Sequence, residues 1–111
     1  MLTRGNRITR GADYRSVVRG GSRCPAAHTV THVVSTSEQR PPRFGFIVSK
    51  QVGSAVARNT VRRRLKAISA GLVDEIRPGS QVVIRALPAA ADAPYEVLAG
   101  EVKRCLTGEH R

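Results

Sequence analysis

The chain is predicted to fold as an α/β sandwich, an α+β arrangement of about three helices packed on a small mixed sheet. Three observations carry that expectation. Two β-branched or aromatic runs, 28–34 and 44–49, follow one another closely. A stretch of helical period begins at Ala55, and the apolar triplet Val82-Val83-Ile84 lies beyond a Pro78-Gly79 break. The order is thus helix, two strands, helix, strand, helix, for which helices on a sheet are the economical packing. At 111 residues the chain is read as one domain, 1–111, with a real but modest core. That core must be built mainly from Val, Leu, Ile and Ala, because there is no Trp and only two Phe and two Tyr.

Residues 1–10 are polar and basic and read as a loosely held, flexible arm. From Gly11 to Gly20, Ala12, Tyr14, Val17 and Val18 recur with helical spacing, and Gly20-Gly21 closes the segment. His28-Thr29-Val30-Thr31-His32-Val33-Val34 reads as a strand. A polar loop ending in Pro41-Pro42 leads to Phe44–Ser49, where alternation sets Phe44, Phe46 and Val48 on one face. After the Gly53 turn, Ser54 is a suitable N-cap. From Ala55 to about Ala70, the residues Ala57, Val61, Leu65, Ile68 and Leu72 fall within about 80° of one another at 100° per residue. Gln81–Leu87 suits an interior strand, Pro88–Pro94 is an Ala-rich connection, and Tyr95–Leu106 is a last helix with Leu98, Val102 and Leu106 as its apolar side.

Charge is distributed very unevenly over these elements. Residues 1–66 hold 14 Lys/Arg against 2 Asp/Glu, whereas residues 67–111 hold 5 against 6. The whole excess of +11 therefore sits in the first part of the chain. It is densest on the helix from Ala55, where Arg58, Arg62 and Lys66 succeed one another beside the apolar stripe and Asn59 and Arg63 extend the polar arc. No acid stands at i±4 to balance them, so a merely solvated face is the poorer reading. A folded chain tolerates such self-repulsion when its usual partner is a polyanion, which makes nucleic acid the first expectation. No apolar run approaches the roughly 20 residues that cross a bilayer, and the basic N-terminus lacks the apolar stretch of a secretion signal. The expected setting is soluble and intracellular, with no membrane partner.

The segment Phe44-Gly45-Phe46-Ile47-Val48-Ser49-Lys50-Gln51-Val52-Gly53-Ser54-Ala55-Val56-Ala57-Arg58-Asn59-Thr60-Val61-Arg62-Arg63-Arg64-Leu65-Lys66 resembles the signature of the bacterial ribonuclease P protein component. In that family a strand ends in Ser-Lys, a Val-Gly turn follows, and a helix opens with Arg-Asn-Arg. Asn6-Arg7-Ile8 followed by Tyr14, and Val82-Val83-Ile84-Arg85-Ala86, resemble its opening and its later strand, so the likeness runs from about residue 5 to residue 106. The resemblance implies a ribosomal-protein-like fold with a left-handed β-α-β crossover, against the general handedness rule. It implies a cytoplasmic subunit, monomeric before assembly, that joins a catalytic RNA in removing the 5′ leader of precursor tRNA. The RNA performs the hydrolysis, with magnesium held mainly by RNA and substrate, so that no protein residue is catalytic and none ligates a metal.

Carried over residue by residue, the resemblance assigns Lys50, Arg58, Asn59, Arg62, Arg63 and Lys66 to the face that meets the catalytic RNA and the substrate junction. It assigns Tyr14, Val18 and His32 to a cleft for the single-stranded leader. Two departures stand out: Thr60 replaces the second basic residue of Arg-Asn-Arg, and Val18 and His32 make the cleft less aromatic. The chemistry fits the division. Arginine forks suit phosphate oxygens without reading bases, Asn59 can both donate and accept, and single-stranded RNA stacks on flat side chains along positive grooves.

Other readings are weaker. Cys24 and Cys105 suit free thiols in a reducing compartment, a bridge between them being the less favoured alternative, and Cys105 reads as a small core residue. Cys24, His28 and His32 recur at four-residue spacing, but along a strand such neighbours lie about 13 Å apart, too far to share one zinc. A general RNA-binding or ribosomal protein would use the same helix without aiding leader removal. A self-contained metal-dependent nuclease would need a carboxylate cluster, and a duplex-DNA reader would show a helix-turn signal before the basic helix.

Overall fold

A computed structural model describes residues 2–108. Its helices are α1 (Gly11–Gly20), α2 (Ala55–Ala70) and α3 (Tyr95–Thr107), and its strands are β1 (Ser22–Pro25), β2 (Thr29–Val34), β3 (Arg43–Ile47) and β4 (Gln81–Ala86). The strands form one mixed sheet in the order β1-β2-β4-β3, antiparallel except for the β3–β4 pair. Parallel neighbours cannot be joined by a tight turn, so the chain must cross between them. α2 makes that crossing.

Alternation along the strands decides which helix covers which face. Val82, Ile84 and Ala86 of β4 join Phe44 of β3, Val61, Leu65 and Ile68 of α2, and Leu98 and Val102 of α3 in the larger core. Val83 points the other way and meets Val17 of α1 and Ile8, with Tyr14, Val18, Val34 and Ile47 around them. The sheet therefore has α2 and α3 on one side and α1 on the other, the expected sandwich. Leu65 and Leu98 are fully buried; truncating either to alanine removes about 3 kcal/mol of stability.

α2 forms where its pattern places it. Ser54 Oγ accepts from the Ala57 N–H at 3.2 Å, capping the helix. The turn before it requires glycine at 53, where φ is 151°. Phe44, Phe46 and Val48 all contact the larger core, as their spacing indicates.

Four features differ from expectation. First, the N-terminal arm is not loose. Leu2, Asn6 and Ile8 are buried, Asn6 Nδ2 donates to the Pro42 carbonyl at 2.9 Å, and Arg7 bridges to Phe44 with the Ile8 N–H donating to the Phe44 carbonyl at 2.8 Å. An edge strand with unpaired backbone groups recruits whatever chain can pair with it, and the arm is that chain. Second, Ser22–Pro25, a segment without β-branched residues, is a strand because it hydrogen-bonds along β2. Third, Cys24 and Cys105 are not free thiols but are joined in a disulfide that ties β1 to α3 across 81 residues of sequence. Fourth, the Ala-rich connection contains a tight helical turn, Pro88–Asp92, whose Ala90 is fully buried. Small side chains let this turn lie close against α2, where Arg64 Nη1 donates to the Ala93 carbonyl at 3.3 Å.

A second tie holds α3 beside the disulfide. Glu101, one turn before Cys105, is 4% exposed and accepts from the His28 N–H at 3.1 Å and the Thr29 hydroxyl at 2.9 Å, while its other oxygen meets His28 Nδ1. A buried carboxylate needs such a set of donors.

Candidate nucleic-acid interface

Two requirements shape a surface for single-stranded RNA: flat side chains for bases and cations for phosphates. The structure brings both to the β3 edge. Gly45 of β3 has no side chain, and the Tyr14 ring of α1 occupies the space, so that a Cβ at 45 would stand 2.5 Å from Tyr14 Cε1. The Phe46 N–H donates to the Tyr14 hydroxyl at 3.2 Å, which fixes the ring across the strand. Next to it opens a cavity of about 370 Å³ lined by Tyr14, Phe44 and Phe46 together with Arg62 and Lys66 of α2. Arg4 and Arg7, held by the pinned arm, complete its positive wall. Aromatic rings from α1 and β3 and cations from α2 thus share one cavity.

Along α2 the other polar groups differ in exposure, Arg64 being turned to the Ala93 carbonyl. Arg63 and Asn59 are exposed, Arg58, Arg62 and Lys66 half-exposed. Asn59 Oδ1 accepts from Arg62 Nη1 at 3.0 Å, which orders the guanidinium. Thr60, at the position of the missing basic residue, turns its hydroxyl back to the Val56 carbonyl at 3.0 Å. Lys50 stands exposed on the short turn Lys50–Val52 ahead of the helix. Among the described residues the ion pairs are His28–Glu101 and Arg40–Glu38, so no carboxylate neutralises α2.

The three cleft residues do not stand alike. Tyr14 lines the cavity, whereas Val18 packs half-buried around Val17 and Ile8. His32 lies on the same face of the sheet, because its cross-strand partner is Val83, but it is 4% exposed and both ring nitrogens are out of solvent without a hydrogen-bond partner. Burial, and then the charges of Arg23 and Arg85, push its pKa below the usual 6.5. Arg23 is its direct neighbour on β1, and both arginines are exposed on this face. A neutral imidazole under two surface guanidiniums makes a positive strip beside α1.

Motif reading missed several of these groups. Arg4 and Arg7 were hidden in an arm expected to be loose, and Arg23 in a segment without strand character. Arg85 was legible in principle, as the one charged position of its strand. The Cys24, His28 and His32 series disperses in the fold. Cys24 and Arg23 point to opposite faces of the sheet, so Cys24 reaches α3 while His32 faces α1, and His28 turns to Glu101.

The ribonuclease P family model matches residues 2–109. The chain is 48% identical over 107 residues to the ribonuclease P protein component of Clavibacter michiganensis subsp. michiganensis, covering 96% of this chain and 95% of the relative. It is 39% identical over 110 residues to that of Mycobacterium avium, covering 96% and 92%. Among solved structures, the RNase P protein of Staphylococcus aureus superimposes with a TM-score of 0.83 at 22% identity, covering 95% of each chain. The RNase P protein of Thermotoga maritima gives a TM-score of 0.80 at 16% identity, covering 92% of this chain and 96% of that one.

Proposed function

Because the chain belongs to the family of bacterial ribonuclease P protein components, we propose that it binds the catalytic RNA through α2 and holds the 5′ leader of precursor tRNA against Tyr14. The observation that carries this reading is the shared cavity, in which Tyr14 and Phe46 stand beside Arg62 and Lys66. A single strand leaving α1 with a base on Tyr14 meets α2 cations within the same cavity. The Arg23–Arg85 strip extends the positive surface along the sheet, where it attracts backbone phosphates without reading sequence. Arg58, Asn59, Arg63 and Lys50 then face the catalytic RNA, with Arg62 and Lys66 at its junction with the substrate.

In this reading the polypeptide contributes binding and positioning, and the hydrolysis belongs to the RNA. Magnesium belongs to the RNA and substrate as well. The interface is made of guanidiniums, an ammonium and aromatic rings, a donor set that repels a divalent cation, so the residues present do not fit a magnesium cage. The work is placed in the cytoplasm, and the protein enters assembly as a monomer.

A leader-dependence assay tests the proposal. The holoenzyme assembled with ribonuclease P RNA is expected to bind precursor tRNA more tightly than mature tRNA. Tyr14→Ala should shrink that ratio by about tenfold, the scale of one lost base stack. An unchanged ratio would remove Tyr14 from the leader path.

A further inference from the structure

Arg7 and Lys66 stand between two cavities. One is the aromatic cavity described above; the other is a groove of about 710 Å³ between the N-terminal arm and the last turns of α2. The floor of this second groove is Leu2, Ala67, Ala70 and Gly71, and its rim is Arg7, Arg63 and Lys66. Ala67, Ala70 and Gly71 follow at i, i+3 and i+4, so they share one side of the helix end, and none carries an atom beyond Cβ. The floor is consequently flat and apolar, between three cations. No acidic residue lines it, and among the described residues no ion pair engages its three cations.

A flat apolar floor framed by unneutralised cations complements a planar base with a phosphate on either side. An apolar peptide would satisfy the floor and leave the cations unanswered. A duplex would answer the cations but keep its bases stacked away from the floor. The aromatic side of the Arg7–Lys66 divide is the one read as the leader path, while Arg63 belongs to the face read as meeting the catalytic RNA. We propose that the groove receives one unpaired nucleotide of the catalytic RNA, its base on Leu2, Ala67, Ala70 and Gly71 and its phosphates on Arg63 and Lys66. This inference rests on the function proposed above. It makes Arg7 and Lys66 a partition, with enzyme RNA on one side and substrate leader on the other. The backbone pairing of Arg7 to Phe44 holds that partition in place before either RNA arrives.

Filling the groove without removing a charge tests the idea. Ala67 is exposed, so Ala67→Leu leaves the core untouched and keeps helix propensity, and Ala67→Ser keeps the groove open. Each variant and the wild type are assembled with ribonuclease P RNA, and affinity and base-specific chemical reactivity of the RNA are measured. Ala67→Leu should weaken assembly about tenfold, on the scale of one base contact, whereas Ala67→Ser stays within about twofold. One unpaired nucleotide of the catalytic RNA should be protected by wild type and Ala67→Ser and exposed with Ala67→Leu. The ratio of affinities for precursor and mature tRNA should not move. Wild-type affinity and protection in Ala67→Leu would overturn the proposal, and so would a protected nucleotide that lies in the precursor instead. A wild-type protein that fails to assemble at all would sink the proposed function itself, a result distinct from either.

Discussion

α2 and α3 lie on the same face of the sheet and bury comparable apolar stripes, yet they treat their polar groups in opposite ways. α2 carries Arg58, Arg62, Arg63, Arg64 and Lys66 without one acid, and no carboxylate among the described residues reaches them. α3 balances Glu96 and Glu101 against Lys103 and Arg104, and fastens itself to the β1–β2 hairpin through Glu101 and Cys105. The lesson is one of destination. The buried carboxylate of α3 is answered within the fold, whereas the cations of α2 meet no carboxylate there, as the polyanion partner proposed above requires.

That contrast can be broken from either side. The largest expected effect is on α3. Glu101→Ala leaves the donors of His28 and Thr29 buried without their acceptor, and should cost about 3 kcal/mol of stability, read in a denaturant titration. The affinity of the remaining folded protein for RNA should stay as it was. A strong loss of RNA binding at unchanged stability would erase the distinction between the helices.

On α2 the signs reverse. Arg62→Ala combined with Arg63→Ala should weaken assembly with the catalytic RNA by about 10- to 100-fold and lower the slope of log K against log salt by about 2, one for each lost phosphate contact. Thermal stability should hold, because Arg63 is exposed and the Arg62 bond to Asn59 joins two side chains on the exposed face of one helix. Affinity and slope equal to wild type would mean that this arc does not face RNA.

A smaller effect sharpens the same point. Sulfate or phosphate should raise the melting temperature at low ionic strength, since anions that bind the native state relieve the repulsion of a +11 chain. Indifference to these anions, relative to matched chloride, would argue that the charge is already compensated.

The smallest concerns His32. Its native pKa lies below 6.5 because of burial and the nearby Arg23 and Arg85, so the unfolded chain takes up a proton first as pH falls. Between the two values the unfolded state binds more protons, and stability therefore declines as pH drops below the unfolded pKa. His32→Phe should flatten that decline as pH falls through and below the unfolded value of 6.5. An identical pH dependence in both proteins would show that His32 remains accessible to protons in the fold.

What could be read from the sequence follows the same divide. α2 was legible down to its cap, because period, capping and charge all pointed one way over a long segment. Tyr14 was legible through its family motif, although its perch on Gly45 depends on a contact across 31 residues that no local pattern displays. β1, the pinned arm and the Cys24–Cys105 bond were not legible, since each exists by virtue of a distant partner: β2, the open edge of β3, and α3. Nothing local marks Glu101, and only the docking of that helix on the 26–29 turn makes it a buried anchor. His32 was placed on the correct face but read as a surface for stacking, whereas α1 and the flanking strands cover it.

The most direct test of the account is cleavage of a 5′-extended precursor tRNA by a bacterial ribonuclease P RNA at low magnesium, with and without this protein. The RNA alone is expected to be nearly inactive there and the protein alone inert, while the two together release the leader at the correct position. Cleavage unchanged by the protein, despite tight binding to the RNA, would contradict it and leave α2 as a general RNA-binding surface.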